Sequence, residues 1–318
     1  MQAELDGGSE MRRTQNDLPI RFTVFTSTFN RKFTLPRLYQ SLKRQTFKNF
    51  EWLVIDDGST DDTGELFANW VSECNTFKIV YKRIENGGKP RAINKGVQLA
   101  RGQFFFMVDS DDYLLPDALE KMNFWCNEIA EDASFIGVGA ARGNPDGKYI
   151  KGVAPIVNEN GYVDATNLER AQFNLDADMC EAYKTDIFKK FPMAEWPGEK
   201  FAPEQIALND IALAGYKIRW HNDIIYVCEY LEAGLTKRSK HLERQNPMGY
   251  AMMYNHKLLY HITRKEKFSA ACQHIALSLY GKHPGYILKS NCLGYTVLML
   301  PFGIILAIRR WMQYKKVK

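Results

Sequence analysis

The sequence predicts an α/β protein in which a parallel or mixed sheet is covered by helices. In the first half, strand-like segments alternate with segments whose apolar residues recur at helical spacing. Three of the predicted strands end in polar clusters. The 318 residues, of which 45% are hydrophobic and 13% aromatic, suffice for one large or two modest domains with a packed core.

Four strands and three helices are expected in the first third of the chain. The first helix is predicted because Leu35, Leu38 and Leu42 follow helical spacing. In chain order, the elements are a strand at 20–28, a helix at 34–45, a strand and acidic turn at 51–59, a helix ending near Cys74, a strand at 77–84, a helix at 89–100 and a strand at 103–112.

The remaining chain gives coarser predictions. Residues 133–156 have the pattern of short strands around the turn GNPDGK, and residues 166–173 have that of a helix. From about residue 236 the helical patterns become long and turns become few, which predicts a domain boundary there. Residues 1–18 lack the apolar stretch of a secretory signal and are expected to form a flexible leader.

Residues 290–308 contain no charge, but Pro301 interrupts them and Gly294 and Gly303 dilute their hydrophobicity. Their length lies near the lower limit for a membrane span. Three interpretations remain open: a packed core helix, a membrane span or hairpin, and a segment that lies in one leaflet or re-enters it. The basic tail that follows favours a membrane-associating segment at an anionic surface.

Charge and cysteine content argue against several classes of protein. The net charge of +5 equals the five basic residues at positions 309–318, which include no acid, so the rest of the chain is neutral. A neutral body argues against nucleic acid as a partner. None of the six cysteines belongs to a CxxC pair, which favours a reduced, cytoplasmic protein.

Polar clusters end three of the predicted strands, at residues 27–31, 56–59 and 109–112. Open α/β sheets bind ligands beyond the carboxyl ends of their strands, so we expect these clusters to meet along one rim. Phe29, in the first cluster, could stack on a nucleobase, although core packing is its simpler interpretation. The convergence predicts a ligand site at this edge.

The turn Asp109-Ser110-Asp111-Asp112 offers oxygen ligands that suit Mg²⁺ or Mn²⁺, and such an ion would hold a diphosphate. Taken alone, the turn is weak evidence, because acidic turns are common and are often only solvated. The prediction therefore depends on the neighbouring clusters.

Asp56 and Asp57 offer acceptors for the N–H group of a nucleobase. Residues 86–94 contain two glycines, with Lys89 and Arg91 at a predicted helix start, an arrangement that suits an anion. The chain has neither the GxGxxG dinucleotide fingerprint nor the P-loop pattern. These features favour a nucleotide site of another kind.

The order of these motifs resembles that of the family 2 glycosyltransferases, whose catalytic domain has the GT-A fold. The motifs are FTVFTSTFNR, WLVIDDGSTDDT, ENGGKPRAINKG and FFFMVDSDDYLLPDAL. The resemblance is strong over residues 20–125 and continues more loosely to about residue 238. It implies a GT-A fold, which is a Rossmann-like mixed sheet flanked by helices, over residues 19–235. A helical C-terminal extension would follow over residues 236–318.

In that family the first strand's end and the DDGS acids hold the nucleobase and ribose. The glycine-lysine-arginine segment lies beside the nucleotide, and the DxD motif binds the ribose and the metal-diphosphate. The resemblance therefore implies nucleotide-sugar binding by Ser27, Thr28, Phe29, Asp56, Asp57, Lys89, Arg91 and Asp109. It implies a Mg²⁺ or Mn²⁺ cofactor held by Asp109, Asp111 and Asp112.

The resemblance also implies a catalytic base. Many members carry a Glu-Asp pair where this chain has Pro203-Glu204-Gln205, so Glu204 is expected to be the base. The alternative is that Glu204 only stabilises a helix start. Asp176 and Asp178 fall where the family has acceptor-side residues.

Asp210 and the six histidines are not expected to take part in catalysis or in metal binding. Asp210 should share a helix with Glu204 but face elsewhere. The six histidines are scattered, and the spacing of His256 and His261 is poor for a shared metal on one helix.

The implied reaction is sugar transfer with inversion from a nucleoside diphosphate donor, foremost a UDP-sugar, to a hydroxyl group. The acceptor would be a glycan or lipid-linked glycan in surface-polysaccharide synthesis. The implied location is cytoplasmic, peripheral on the inner face of the cytoplasmic membrane. One alternative is a catalytically silent nucleotide-sugar-binding scaffold of a membrane assembly complex. A nucleotidyltransferase is a weaker alternative, because TSTFNRKFTLP lacks a phosphate-binding glycine.

Overall fold

The computed structural model describes residues 19–73, 75–228, 239–260 and 262–316, without the side chains of residues 239, 240 and 314–316. The leader predicted for residues 1–18, the boundary near residue 236, Cys74 and His261 lie outside the described residues.

Nine strands of the described chain form one mixed sheet. They are β1 (Phe22–Thr28), β2 (Phe50–Asp56), β3 (Lys78–Arg83), β4 (Phe104–Met107), β5 (Tyr113–Leu114), β6 (Phe135–Gly143), β7 (Tyr162–Ala165), β8 (Met179–Lys184) and β9 (Lys217–Val227). Their order is β3-β2-β1-β4-β8-β6-β9-β5, and β7 also pairs with β9. The first four strands are parallel to one another, and β8 runs antiparallel to both β4 and β6.

The described helices cover the sheet and build a C-terminal region. They are α1 (Leu35–Lys43), α2 (Thr63–Ser72), α3 (Lys89–Leu99), α4 (Ala118–Glu128), α5 (Thr185–Phe188), α6 (Gln205–Leu213), α7 (Ser239–Gln245), α8 (Pro247–His256), α9 (Arg264–Tyr280), α10 (Leu293–Leu298) and α11 (Leu300–Lys316). The α/β prediction with a helical C-terminal part is confirmed.

Each face of the sheet carries its own hydrophobic core. On one face Trp52 is fully buried, with its ring centroid 6.0 Å from that of Tyr39 and 5.2 Å from that of Phe67. On the other face the rings of Phe25 and Phe105 stack at 4.9 Å. β2 is buried along its whole length, as expected for a central parallel strand, and residues 52–55 at its centre are all apolar.

The structure differs from two of the predictions for the middle of the chain. Residues 133–156 contain a single strand, β6. After the turn that follows it, the chain pairs with the end of β6 through an isolated bridge between Gly143 and Tyr149. Residues Asn167–Phe173 form a 3₁₀ helix. A capping box stabilises its N-terminal end, where Thr166 and Glu169 each hydrogen-bond to the backbone of the other. Apolar spacing alone does not separate the two helix types over so short a segment.

The C-terminal helices dock onto the sheet domain through the start of α8. Both carboxylate oxygens of Glu199 accept backbone N–H groups there, from Met248 at 2.8 Å and from Gly249 at 2.8 Å. A Cβ on Gly249 would lie 2.2 Å from the carbonyl oxygen of Phe201, so the contact requires glycine. The loop before α6 is therefore fixed to the C-terminal region.

The predicted apolar segment 290–308 is divided between α10 and α11. Gly303 packs against Ile275 of α9, while Leu298 and Ile305 are 65% and 63% exposed. Arg310, one of the cations of the predicted basic tail, is instead buried beside Glu243, 3.3 Å away. Within the described part of the chain, no helix is both long and apolar enough to cross a bilayer.

Candidate active site

The carboxyl ends of the central strands meet at one edge of the sheet, as the polar clusters predict. The register pairs Thr28 with Asp56, and the backbone N–H of Asp57 donates to the Thr28 carbonyl at 2.8 Å. Val108, directly before the acidic turn, donates to the Phe25 carbonyl at 2.8 Å. The three predicted polar clusters are thus neighbours in space.

The two acids of the DDGS turn hold the loops of this edge. The Asp56 carboxylate is buried and accepts from the Ser59 backbone at 2.7 Å and from the Tyr81 hydroxyl. The Asp57 carboxylate accepts from the backbones of Gly87 and Gly88, at 2.7 and 2.8 Å. Burial raises the pKa of Asp57, which these hydrogen bonds oppose. Both acids shape the pocket wall.

The end of β1 contributes an exposed aromatic ring and a buried hydroxyl group to this edge. The Phe29 ring is 44% exposed, so it does not pack in the core and remains available for stacking. The Thr28 hydroxyl is buried and makes no hydrogen bond with the described residues. Ser27 lies beside them, half-buried.

Arg91 binds the protein rather than facing the rim. Its guanidinium donates to the carbonyl of Glu199 at 2.7 Å and of Trp196 at 3.1 Å, and also to that of Gly87. A salt bridge to Glu195 of 3.0 Å completes this set. Arg91 therefore links the glycine-rich segment to the loop that leads to α6.

Lys89 joins the acidic turn to the expected base. Its ammonium nitrogen lies 2.9 Å from Oδ1 of Asp109 and 3.0 Å from Oε1 of Glu204. Burial opposes the charge on Lys89, but the two carboxylates outweigh it and hold its pKa above the ordinary value. Three residues from three separate segments of the chain thus form one ionic cluster.

Arg142 and Tyr226 complete the surroundings of Asp109. The Arg142 guanidinium lies 3.1 Å from Oδ2 of Asp109 and stacks 4.2 Å from the centre of the Tyr226 ring. Burial disfavours the Asp109 carboxylate, but the charges of Lys89 and Arg142 prevail and keep its pKa well below the usual range. Asp109 is therefore ionised and held on two sides.

The other acids of the turn have different environments. The Tyr226 hydroxyl donates to the Asp112 carboxylate at 2.9 Å, and burial raises the pKa of Asp112 to about 6. Asp111 is half-buried, and its backbone carbonyl accepts a hydrogen bond from Arg37. Among the described contacts, the carboxylates of Asp109 and Asp112 bind Arg142 or Tyr226, whereas that of Asp111 binds neither.

Asp109 and Asp111 suit a divalent cation whose other ligands come from a bound substrate. The described residues contain no cluster of three or more histidine, cysteine, aspartate or glutamate side chains suited to a metal. Mg²⁺ and Mn²⁺ are commonly held by one or two carboxylates together with substrate phosphates. The donor set of the turn is compatible with that mode.

A cleft of about 1400 Å³ opens beside the ionic cluster. Lys89, Asp109 and Glu204 line it, as do Asp176 and Asp178, the expected acceptor-side residues. Its far wall comes from the C-terminal helices and the segments between them, through Met253, Tyr254, Lys257, Leu259, Tyr260, Ile262, Glu266 and Lys267. The cleft is large enough for a sugar ring and an acceptor.

Glu204 immediately precedes α6, but its side chain makes no capping hydrogen bond. It pairs instead with Lys89 in the cleft. Asp210 lies further along α6 and bonds His256 of α8 at 2.8 Å, so it faces the C-terminal helices. Glu204 thus lies at the start of α6 with its carboxylate bound to a cation of the cleft.

Sequence analysis missed Arg142, Tyr226 and Glu181, which line or support the cleft. Arg142 is the charged residue in the otherwise apolar strand segment FIGVGAARG, and Glu181 occupies a similar position in MCEAYK. A charge inside a buried strand is a usable signal, because it requires a partner.

Comparisons with known proteins find related sequences and related folds. A family model described as glycosyl transferase family 2 matches residues 23–190, more than half of the chain. The chain is also similar to the GalNAc(5)-diNAcBac-PP-undecaprenol beta-1,3-glucosyltransferase of Campylobacter jejuni, with 35% identity over 112 residues. This segment covers 34% of the chain and 35% of the relative, so the chain spans about a third of that relative's length.

Two solved structures share the fold over nearly the whole chain. Staphylococcus aureus TarS 1-349 in complex with UDP-GlcNAc has a TM-score of 0.59 at 17% identity, covering 94% of this chain and 92% of that one. The mannosyltransferase PcManGT of Pyrobaculum calidifontis, in complex with GDP-Man and Mn²⁺, has a TM-score of 0.54 at 16% identity, covering 93% and 84%. At these identities the likeness concerns the fold.

Proposed function

The chain belongs to glycosyl transferase family 2 and is a glycosyltransferase, and from this premise we propose that it transfers a sugar with inversion from a nucleoside diphosphate donor. The proposed donor is foremost a UDP-sugar, and the proposed acceptor is a hydroxyl of a glycan or lipid-linked glycan in surface-polysaccharide synthesis. The Campylobacter relative, whose name includes a polyprenyl diphosphate, supports the choice of acceptor.

The observation that carries the proposal is the position of Lys89 between Asp109 and Glu204, at 2.9 and 3.0 Å. The acidic turn and the expected base would otherwise be two unrelated features of the sequence. Their connection through one cation, beside a cleft, supports a single reaction centre in which leaving group and acceptor lie close together.

Inversion requires the acceptor oxygen to attack the anomeric carbon from the face opposite the diphosphate. In this proposal Glu204 takes the proton of the attacking hydroxyl as the new C–O bond forms and the bond to the diphosphate breaks. General base catalysis of this kind typically contributes about 10²- to 10⁴-fold. The transfer is direct, so no side chain forms a covalent bond to the sugar.

The leaving diphosphate gains negative charge, and the cations of the rim are placed to balance it. Lys89 and Arg142 both lie beside Asp109, at the carboxyl end of the central strand. We propose Asp109 and Asp111 as the residues that hold Mg²⁺ or Mn²⁺, with Asp112 supporting the turn. A bound divalent ion would supply further neutralisation of the diphosphate.

On the nucleotide side, we propose that Ser27, Thr28 and Phe29 contact the nucleoside. The exposed ring of Phe29 supports this role, as does the buried hydroxyl of Thr28, which makes no hydrogen bond with the described residues. Asp56 and Asp57 would act from the pocket wall that they stabilise. Arg91 would act indirectly, because its described hydrogen bonds fix the loop before Glu204.

On the acceptor side, we propose that Asp176 and Asp178 contact the glycan hydroxyls. Both line the cleft and are exposed at its surface. The pKa of Asp176 is lowered chiefly by its hydrogen bond to Lys151. An exposed carboxylate of this kind suits a sugar hydroxyl as hydrogen-bond donor.

The test compares wild-type protein with Glu204→Gln. Nucleotide sugars, including UDP-glucose, UDP-N-acetylglucosamine and GDP-mannose, are screened with Mn²⁺ for release of the nucleoside diphosphate. We expect metal-dependent release by the wild type, and a loss of transfer of about 10²- to 10⁴-fold in the variant with little change in donor affinity. Binding of a nucleotide sugar without any release would indicate the silent scaffold, and full transfer by Glu204→Gln would remove this base from the mechanism.

We also propose that the protein lies on the cytoplasmic face of the membrane through α10 and α11. Exposed apolar side chains run along these helices, at Leu298, Phe302, Ile305, Ile308 and Met312. The exposed cation Arg309 lies among them, as expected for a helix at an anionic surface. Contact of this type would bring the cleft close to a lipid-linked acceptor.

Co-sedimentation with vesicles tests this location. Vesicles that contain phosphatidylglycerol should retain the wild-type protein, and Phe302→Ser with Ile305→Ser should weaken retention, because both side chains are exposed. Val71→Ser removes a comparably exposed apolar side chain from α2 and serves as control. Equal retention of all three proteins would contradict the assignment.

A further inference from the structure

Glu181 is a buried acid of the cleft that the proposed mechanism does not use. It lies on β8, opposite Gly139 of β6, and the next residue, Ala182, pairs with Phe106 of β4. Its side chain is 9% exposed and lines the cleft. The acid thus sits on the strand adjacent to β4, which carries the acidic turn.

The Glu181 carboxylate is poorly satisfied within the protein. Among the described residues its ion-pair partner is Arg170, at 3.7 Å, a distance too long for a hydrogen bond. Arg170 already donates to the carbonyls of Leu175 and Ala177, each at 2.6 Å. Among the described residues, no group donates a hydrogen bond to Glu181. Because Glu181 lines the cleft, the remaining hydrogen-bonding capacity of its carboxyl group is open to a ligand there.

Two arginines and two acids act on the charge of Glu181. Burial raises its pKa to about 7, opposed by the charges of Arg170 and Arg142 and reinforced by those of Glu204 and Asp178. Near neutral pH, either protonation state of the carboxyl group can bind a hydroxyl, as acceptor or as donor. A hydroxyl group from a ligand in the cleft would therefore complete its hydrogen bonding.

The position of Glu181 indicates which ligand carries that hydroxyl. In the proposed reaction the diphosphate lies near Asp109 and the attacking oxygen lies near Glu204, so the donor's sugar ring occupies the interval between them. Glu181 lines the same cleft as Asp109 and Glu204, and it lies on β8, the strand that pairs with β4 just before the acidic turn. A sugar ring between Asp109 and Glu204 would therefore lie within the cleft that Glu181 lines.

We propose that Glu181 binds a hydroxyl group of the donor's sugar ring and helps to select that sugar. This inference rests on the proposed function. Because Glu181 is assigned to the sugar and not to the nucleotide, the test compares binding of the nucleotide sugar with binding of the free nucleoside diphosphate. Loss of the carboxyl group should weaken binding of the nucleotide sugar and leave binding of the free nucleoside diphosphate unchanged.

The experiment uses the full chain and the nucleotide sugar that the wild type hydrolyses fastest among UDP-glucose, UDP-N-acetylglucosamine, UDP-galactose and GDP-mannose. Calorimetry with Mn²⁺ then compares the affinity of wild type, Glu181→Ala and Glu181→Gln for that donor and for its nucleoside diphosphate. In Glu181→Ala we expect affinity for the donor to fall about 10- to 100-fold, the usual effect of losing a hydrogen bond to a charged group, and affinity for the diphosphate to change less than about twofold.

Glu181→Gln keeps the shape and a hydrogen-bonding group, so it should recover most of the donor affinity. Deoxy analogues of the donor sharpen the assignment, because the analogue that lacks the bound hydroxyl should bind wild type and Glu181→Ala alike. Glu51→Gln is the matched control for altering a buried carboxylate, since Glu51 lies on β2 and pairs with Thr23 and Arg101 outside the cleft.

Each outcome decides the matter. Unchanged donor affinity in Glu181→Ala, or an equal loss for donor and diphosphate, overturns the inference while the enzymatic function stands. A wild-type protein that neither binds nor hydrolyses any nucleotide sugar contradicts the proposed function itself. Thermal unfolding of each variant shows whether it is folded. If Glu181→Ala is not folded, the deoxy analogues decide the question with the wild type, because one of them should bind about 10- to 100-fold more weakly than the intact donor, and equal affinity for all of them overturns the inference.

Discussion

The ammonium group of Lys89 lies 3.0 Å from the carboxylate of Glu204. Lys89 begins α3, directly after the glycine pair, whereas Glu204 immediately precedes α6, so the contact joins two parts of the cleft wall. The same nitrogen binds Asp109 at 2.9 Å. A change at Lys89 should therefore affect the donor side and the base together, which a residue serving only one of them would not do.

Replacement of Lys89 by methionine tests this coupling. The variant keeps most of the side-chain volume but leaves two carboxylates of the cleft without their shared cation. Because a hydrogen bond to a charged group contributes roughly 1.5–3 kcal/mol, we expect kcat/KM to fall about 10- to 100-fold. Initial rates at varied donor concentration measure the change.

Lys95→Met provides the matched control on the same helix, since Lys95 does not line the cleft. It should retain nearly full activity. If Lys89→Met and Lys95→Met have the same kcat/KM, the ionic cluster has no part in turnover.

Asp111→Asn should change the metal dependence of the reaction. An amide oxygen is a weaker ligand than a carboxylate, so the Mn²⁺ concentration for half-maximal activity should rise about tenfold or more. Activity measured against Mn²⁺ concentration gives this value. Asp186→Asn removes an acid that is 97% exposed on α5 and should leave the curve in place. An unshifted curve for Asp111→Asn would rule out this ligand.

The first half of the fold could be predicted because its signals are local. The helix at Leu35 has its apolar residues at regular spacing, and residues 52–55 of β2 form an apolar run directly before Asp56 and Asp57. Since parallel strands bring their carboxyl ends to one edge, the proximity of Lys89 to Asp109 of the acidic turn followed from the alternation of strands and helices. These parts needed no knowledge of tertiary contacts.

The role of Arg91 could not be predicted in the same way. The motif places a cation beside a glycine-rich turn, which suits an anion, but the guanidinium binds the carbonyls of Trp196 and Glu199. Those carbonyls come from a loop more than 100 residues later in the chain, with no regular pattern of its own. Arg142 was missed for a related reason, because its partner Asp109 is brought to it by the β4-β8-β6 pairing.

Gly88→Ala should damage the glycine-rich turn more than a comparable change elsewhere. Gly88 has a φ of +95°, and a Cβ there would lie 1.7 Å from the carbonyl oxygen of Lys200. Relief of this contact would pull the Gly88 backbone from Asp57. We expect the donor KM to rise at least about tenfold, in line with a strain of roughly 1–3 kcal/mol. Steady-state kinetics measure the rise.

Gly147→Ala separates the contact from the backbone strain. Gly147 has a φ of +79°, yet a Cβ there meets nothing within 4 Å. Both variants therefore carry an alanine at positive φ, but only Gly88→Ala also meets a neighbouring carbonyl. Gly147→Ala should lower the melting temperature without changing the donor KM. A similar rise of KM in both variants would contradict this account.

The burial of Glu181 predicts that the stability of the protein depends on pH in a defined direction. Its pKa is about 7 in the folded protein and ordinarily 4.5, so between these values the folded state retains a proton that the unfolded chain has released. The stabilising contribution is therefore complete below pH 4.5 and is lost as the pH rises through 7. Arg170 and Arg142 oppose this shift, while Glu204 and Asp178 reinforce it.

Glu181→Gln isolates the effect, because the amide stays neutral throughout and the other titrating groups are common to both proteins. At pH 4.5 the melting temperatures of wild type and variant should be close, since both side chains are then largely uncharged. At pH 8 the variant should melt higher, by a margin of the order of 2 °C, because only the wild type keeps a buried charge. Calorimetry at the two pH values measures the difference. If the variant melts lower at pH 8 than at pH 4.5 relative to wild type, Arg170 and Arg142 dominate, and the folded pKa of Glu181 lies below 4.5.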